Sequence, residues 1–193
     1  MVSMREDKKT FIRVGNNLAV DFINTQFSTH EKVVNQLECL QDLFQWAAEM
    51  EVPLESIDTN ANIEDVWQLR SSIKTLVTAN TDKQVLPEDA LSVLNKHLRN
   101  APLQQQLLVV NQDISLQPFD KKLSVDKLLG KVAYEAANLL TSPLSLHVKH
   151  CSNEKCILMF VDTSRSKKRR WCSMDICGNR AKASSFYHAH KEQ

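Results

Sequence analysis

Four of the five cysteines in this 193-residue chain form two pairs of identical spacing, Cys151-Ser-Asn-Glu-Lys-Cys156 and Cys172-Ser-Met-Asp-Ile-Cys177, separated by fifteen residues. Two short turns that each deliver two thiols to one side of an ion are what a tetrahedral Zn²⁺ site asks of a sequence. A C-x4-C gap lies at the wide end of the usual ligand spacing, so each turn is expected to be more open than a two-residue knuckle. The alternatives are two disulfides, or a redox or iron–sulfur role. Disulfides need an oxidising compartment, and the opening residues Met-Val-Ser-Met-Arg-Glu-Asp-Lys-Lys-Thr carry neither the apolar core nor the cleavage site of a secretory signal. The expectation is therefore zinc on Cys151, Cys156, Cys172 and Cys177 in a cytoplasmic protein. Cys39, left over, is expected to be a small apolar core residue.

A chain of this length, 42% hydrophobic with only three glycines and five prolines, can bury one fair-sized core and add a small appendage. No apolar run approaches the ~20 residues of a membrane helix. The formal net charge of +1 hides an asymmetry. From Lys149 to the end there are ten Lys or Arg against four Asp or Glu, leaving fourteen against nineteen in residues 1–148. An acidic body carries a basic head, and four bound thiolates would offset only part of that positive charge.

Along the chain, Gly15-Asn16-Asn17 is turn chemistry, and Leu18, Val20 and Phe22 against Ala19, Asp21 and Ile23 predict a short buried strand. Asp21 and Asn24 would then sit at unusual depth, Asp21 either capping backbone N–H groups or acting as a pocket acid. Residues 29–50 predict an amphipathic helix through Val33, Leu37, Leu40, Leu43, Phe44 and Ala47, ended by Val52-Pro53. A polar linker at 56–62 follows, then a second helix over 64–79 with Val66, Leu69, Ile73, Leu76 and Val77 inward. Arg70 lies beside that stripe, where a boundary arginine with its head in water is expected and a ligand clamp is the alternative. Pro87-Glu88-Asp89 starts a third helix, ending at Asn100, with Leu91, Leu94, His97 and Leu98 inward. Residues 103–119 predict a hairpin turning at Asn111-Gln112-Asp113. A helix over 121–140 comes next, with Leu128, Leu129, Val132, Ala133, Ala136 and Leu139 inward. Ser142-Pro143 marks a candidate hinge, and Leu144, Leu146 and Val148 alternate in a strand feeding the first cysteine turn.

Between the cysteine pairs, residues 157–162 predict a second apolar strand and 163–168 a polar tip. A helix from Met174 or Asp175 would complete a treble-clef-like finger. Arg165, Lys167, Lys168, Arg169, Arg170, Arg180 and Lys182 put seven cations into eighteen positions, with Trp171 among them. Guanidinium groups grip phosphates and a flat aromatic stacks on bases, so this edge is a candidate nucleic-acid face. The competing reading is a solvated charge run, with some arginines locking the finger to the acidic body. His147, His150, His188 and His190 flank the site as spare ligands and are read as surface residues, since four thiols already suffice.

The finger residues Cys151, Cys156, Phe160-Val-Asp162-Thr-Ser164, Arg169-Arg170-Trp171-Cys172-Ser173-Met174 and Cys177-Gly178-Asn179-Arg180-Ala181-Lys182 resemble the CGNR zinc-finger proteins. In that family the finger follows an ABATE domain, described as a putative stress-induced transcription regulator. The stretch Gly15-Asn-Asn-Leu-Ala-Val-Asp21-Phe-Ile-Asn24-Thr25 looks like that domain's opening motif. The resemblance implies zinc on the four cysteines and a bacterial cytoplasmic regulator that binds nucleic acid, DNA ahead of RNA. The family's helix commonly continues with further arginines, whereas this chain reads Ala183-Ser-Ser-Phe-Tyr-His-Ala-His190, which implies fewer phosphate contacts. Gly178 suits a crowded turn by the metal, and Asn179 and Arg180 can bond back to the hairpin or to Asp162; an Arg180–Asp162 pair would take Arg180 off the list of phosphate contacts.

The fold expected is α+β: a mostly helical N-terminal domain over 1–142 with a few short strands, and a treble-clef-like four-cysteine finger over 143–193. The function expected is a zinc-dependent nucleic-acid-binding regulator whose body senses a ligand or partner. Asp21, Asn24 and Arg70 are the pocket candidates, with a small-molecule effector and a second copy of the chain as further partners. The alternative is a small-molecule sensor or protein-interaction module whose finger is purely structural. No nucleophile with its base, phosphate loop or open metal position is legible, so no enzymatic activity is expected.

Overall fold

The computed structural model describes residues 9–29, 32–52, 54, 61–101, 105–110, 112–118, 123–183 and 187. Pro53, most of the linker at 56–62, the hairpin and helix ends expected at Leu103, Phe119 and Lys121, the turn residue Asn111, and His188 and His190 lie outside the described residues. The described elements are helices and three antiparallel strand pairs, in line with the expected α+β class. No helix among them is long and apolar enough to cross a membrane.

The opening motif folds as a helix, α1 (Leu18–Ile23), where a strand was expected. The Asn17 side chain accepts from the N–H groups of Ala19 (3.0 Å) and Val20 (3.3 Å), and this cap decides a run whose apolar character alone fits either structure. The helix is apolar on nearly every side because Ala19, Val20, Phe22 and Ile23 are all buried. A second correction follows directly. Residues 26–35, expected to begin a long helix, form the hairpin β1 (Gln26–Ser28) and β2 (Val33–Asn35), with Phe27 opposite Val34. Thr29 closes its turn: its backbone N–H and its hydroxyl both donate to the Lys32 carbonyl, while its hydroxyl accepts from the Lys32 N–H. Helix α2 (Leu40–Glu49) starts only where the Asp42 carboxylate accepts from the N–H groups of Glu38 and Cys39. Cys39 therefore sits exposed at a helix start and is not a core residue.

Helices α3 (Ile63–Thr81), α4 (Glu88–Leu98) and α5 (Val125–Thr141) follow the apolar periodicity of the sequence. Asn62 and Ser124 cap α3 and α5 through their side-chain oxygens. Leu69, Ile73, Leu76 and Leu128 are fully buried, each contributing about 2 kcal/mol from the apolar area removed from water. The hairpin β3 (Gln105–Val110) and β4 (Asp113–Pro118) forms as expected. The strand expected from Leu144 is for most of its length a 3-10 turn, Pro143–His147; only β5 (Val148–His150) is extended.

β5 pairs with β6 (Met159–Val161), and β6 joins the finger to the body. Alternation sends Met159 and Val161 into the main helical core and Phe160 into the core around the cysteines. The Asn24 side chain lies along the same strand: its Nδ2 donates to the Met159 carbonyl (2.9 Å) and its Oδ1 accepts from the Met159 N–H (3.1 Å). The Val161 N–H donates to the Gly15 carbonyl (2.8 Å), and Asn16 Nδ2 donates to the Val161 carbonyl (3.0 Å). Asn16 holds φ 57°, a left-handed conformation that asparagine tolerates. Gly15 is required by contact: an added Cβ would lie 2.8 Å from the Asp21 backbone nitrogen and from Val20. The opening motif is thus the socket for the finger's strand.

Replacing Asn24 by Ala leaves the Met159 N–H and carbonyl unpaired in a buried place. A loss of about 2–4 kcal/mol is expected in urea unfolding of the full chain, from two orphaned backbone groups. A cost below about 0.5 kcal/mol, the scale of an unremarkable surface change, would show that the clasp does not hold the finger down.

Candidate metal centre and its basic rim

The first cysteine turn is set by Asn153: its carbonyl accepts from the Cys156 N–H (2.8 Å) and its Oδ1 from the Lys155 N–H (3.0 Å). The second is set by Ser173, whose hydroxyl accepts from Asp175 and Ile176 N–H groups and whose carbonyl accepts from both Cys177 and Gly178 N–H groups (3.0 Å each). That shared carbonyl widens the helical turn at Met174–Gly178 enough to aim Cys177 back at Cys172. Gly178 is the residue a crowded turn needs, because a Cβ there would lie 2.6 Å from the Met174 sulfur and 3.3 Å from the Trp171 ring.

All four Sγ atoms lie within 4.8 Å of one another, with Cys156 to Cys172 at 3.8 Å and Cys172 to Cys177 at 3.6 Å. A tetrahedron with Zn–S bonds of about 2.3 Å requires sulfur separations of about 3.8 Å, so the donor set fits zinc. Cys151, Cys172 and Cys177 are buried, and all four cysteines are unbridged. In the thiol form the Cys172 hydrogen bond, against the opposing effect of burial, pulls Cys156 down to about 5, while burial first pushes Cys177 up to about 11. The four thiols titrate as one coupled group, and metal binding expels their protons.

The seven cations of the basic edge divide. Arg169 is internal: its Nε donates to the Trp171 carbonyl (2.9 Å), its Nη2 to the carbonyls of Val14 (3.1 Å) and Cys172, and its guanidinium lies 4.2 Å over the Phe160 ring. Lys167 donates to the Asp162 carbonyl (2.9 Å). Arg165, Lys168, Arg170, Arg180 and Lys182 are exposed, and among the described residues no carboxylate pairs with them. Trp171 is half-buried against the cysteine core, with the Arg170 guanidinium 5.2 Å over its ring.

Asp162 is fully buried and its partner is Lys149 (2.7 Å), so the alternative of an Arg180–Asp162 pair is not realised. Its carboxylate also accepts from the Ser164 N–H (3.1 Å) and hydroxyl (2.5 Å) and from the Arg169 N–H (2.9 Å). Burial alone would raise its pKa, but the Lys149, Ser164 and Arg169 hydrogen bonds outweigh it and hold the carboxyl well below the usual range. Lys149 was not among the expected site residues; its place on a strand that alternates into the finger was the available signal.

A cleft of about 530 Å³ opens between residues 13–16 and 168–174. Arg13, Lys168, Arg169 and Arg170 supply charge to its walls, Trp171 and Met174 supply apolar surface, and no carboxylate lines it. Arg13, exposed and contributed by the body, was missed because nothing local distinguishes it.

The three pocket candidates do not share one site. Asp21 Oδ1 accepts from the Gly15 N–H (2.8 Å), the capping role, and burial raises its pKa against the backbone hydrogen bonds. Asn24 holds β6. Arg70 corrects the expectation of a water-facing head: it is 6% exposed and donates from Nη1 to Thr25 Oγ1 (3.0 Å) and Asn35 Oδ1 (2.7 Å). His150 stands 3.9 Å from Asp82 and His147 is half-buried; neither joins the thiols.

Residues 16–143 match the family model ABATE, described as a putative stress-induced transcription regulator, and residues 147–190 match the CGNR zinc finger. No curated protein matches the chain. The CGNR match and the four gathered thiols make zinc the cofactor.

Replacing Asp162 by Asn breaks a buried ion pair and is expected to cost about 3 kcal/mol in urea unfolding at pH 7. Because the folded pKa lies below the unfolded one, the stability Asp162 contributes is present above the unfolded value of about 3.9 and is lost as pH falls towards the folded value. The difference between wild type and variant should therefore shrink only below about pH 4. A difference that is flat down to pH 2, or zero at pH 7, would remove Asp162 from the stabilising groups.

Proposed function

Because the chain belongs to the ABATE family and carries a CGNR zinc finger, we propose that it is a transcription regulator of the cytoplasm that binds nucleic acid, DNA ahead of RNA, through the finger's rim. Cys151, Cys156, Cys172 and Cys177 hold the zinc. Bound by four thiolates, the ion supplies structure and has no open position for chemistry. Arg165, Lys168, Arg170, Arg180 and Lys182 meet phosphates, joined by Arg13, and Trp171 offers its ring to a base. Lys167 and Arg169 instead hold the finger together, and the body responds to a ligand or partner. The observation that carries this reading is the cleft with cations on its walls and no carboxylate: free positive charge gathered on one concave surface needs an anionic partner.

The test is duplex DNA binding followed by fluorescence anisotropy across salt concentrations. Each neutralised phosphate contributes about −0.9 to the slope of log K against log salt, so three to five contacts give a slope of about −3 to −5. Lys168→Ala and Arg170→Ala should each flatten the slope by about 1. Arg169→Ala should instead lower the melting temperature, and removal of zinc by a chelator should abolish binding. Binding that is absent at low salt, or independent of salt, refutes the reading.

A second reading, as an interaction module, is favoured by the β3–β4 hairpin. Leu107, Val109, Ile114 and Leu116 share one face, opposite each other in register, and are 70, 75, 76 and 59% exposed. They present on the order of 500 Å² of apolar surface, the scale that marks an interaction patch. A second copy of the chain is the proposed occupant, since two such faces packed together bury on the order of 1,000 Å², enough for a weak dimer. Sedimentation should show concentration-dependent dimers that Val109→Lys with Ile114→Lys abolishes. A wild type that stays monomeric at millimolar concentration refutes it.

A further inference from the structure

A second cavity, of about 350 Å³, lies where α3 meets the β1–β2 hairpin, lined by Gln26, Asn35, Trp67, Arg70, Ser71 and Lys74. Trp67, Arg70 and Lys74 are spaced by three and four residues and so share one face of α3. The two cations are in unfavourable company. Burial pulls the Arg70 guanidinium down to about 10, and burial followed by the Arg70 charge lowers Lys74. Like charges four apart on a helix destabilise it, and a buried guanidinium with only neutral partners recovers little of its lost hydration. Among the described residues no carboxylate pairs with either.

Arg70 is only partly engaged. Its five N–H groups include two on Nη1, which the Thr25 hydroxyl and the Asn35 carbonyl oxygen account for. Nε and Nη2 have no partner among the described residues, and neither is among the sealed, orphaned polar atoms of the core. Arg70 lines the cavity, and the unpaired edge of its fork is not sealed from solvent. Trp67 is fixed at the wall by its indole N–H, which donates to the Leu37 carbonyl (2.6 Å). Gln26 and Asn35 add side-chain amides.

We propose that this cavity binds a small organic anion, whose carboxylate or phosphate oxygens are held by the free edge of Arg70 and by Lys74, with its carbon skeleton against Trp67. The two nitrogens along one edge of a guanidinium suit two oxygens of one head group, and the lysine adds a point charge. The cavity has the volume of a small-metabolite site. This assignment rests on the reading of the body as a sensor and names what it senses. Thr25, which Arg70 holds, follows Asn24, which holds Met159 of the finger. An anion that redistributes the Arg70 hydrogen bonds thus acts one residue away from the finger's anchor.

The experiment titrates the zinc-loaded full chain with benzoate, citrate and inorganic phosphate at ionic strength balanced with chloride, reading melting temperature and tryptophan fluorescence. A saturable rise in melting temperature with at least one probe is expected, the organic and inorganic arms distinguishing carboxylate from phosphate. Lys74→Met should weaken that response about tenfold or more, from the loss of a charge-assisted contact, while its ligand-free melting temperature equals or exceeds wild type. Arg70→Lys keeps the charge and loses the fork, and should also weaken the response. Lys74→Met decides the matter if Arg70→Lys does not fold. The proposal is overturned if no probe exceeds the chloride control, or if Lys74→Met responds as wild type does. Duplex affinity measured with and without the probe separates the two readings: anion binding that leaves it unchanged keeps the site and removes the sensor. Salt-dependent duplex binding with no probe response keeps the regulator and removes the site.

Discussion

Strand β6 serves two cores with three residues. Met159 and Val161 complete the body, Phe160 completes the cysteine cluster, and the strand's edges are closed by β5 on one side and by Gly15, Asn16 and Asn24 on the other. A unit as small as this finger cannot bury enough apolar surface to stand on its core alone. Here it has two supports, the ion and the body's own interior. A finger that supplies two residues to the body's core is held to it by packed atoms as well as by the chain at Ser142-Pro143.

The same economy explains the divided fate of the basic residues. Between the tip and Cys172, exposure alternates from residue to residue. Lys168 and Arg170 face solvent, while Arg169 turns inward over Phe160 and reaches Val14 on the body. Asp162 gathers Lys149, Ser164 and the Arg169 N–H into one buried network and so fixes the path of the tip. Neighbouring arginines thus do different work, one by binding carbonyls and a ring inside, the other by remaining available outside.

Much of this was legible in the sequence, and what was not has identifiable causes. The two C-x4-C pairs, the periodic stripes of α3, α4 and α5, and the β3–β4 hairpin could be read because each is a local pattern with a local cause. The run 18–23 could not be assigned from its apolar character, since a helix buried on all sides and a buried strand look alike; the Asn17 cap decided it. The β1–β2 hairpin was hidden because Val33 and Leu37 happen to fall on a helical period with Leu40. Arg70 was misjudged because its acceptors, Thr25 and Asn35, lie 45 and 35 residues away. The run Lys167-Lys168-Arg169-Arg170 gives the charge and not its direction, which depends on backbone conformation and on Phe160 nine residues earlier.

Arg70, Thr25, Asn24 and Met159 are joined in series, by a hydrogen bond, a peptide bond and a two-bond clasp. Each link is buried, so loosening any one of them leaves a polar group short of a partner, which is costly enough to favour discrete arrangements over gradual drift. Arg70 has donors to spare among the described residues, and it lines a cavity together with a second cation, Lys74. Among the described residues it is held by a hydroxyl and an amide, with Lys74 beside it and no carboxylate opposite, which is the arrangement on which the anion site rests.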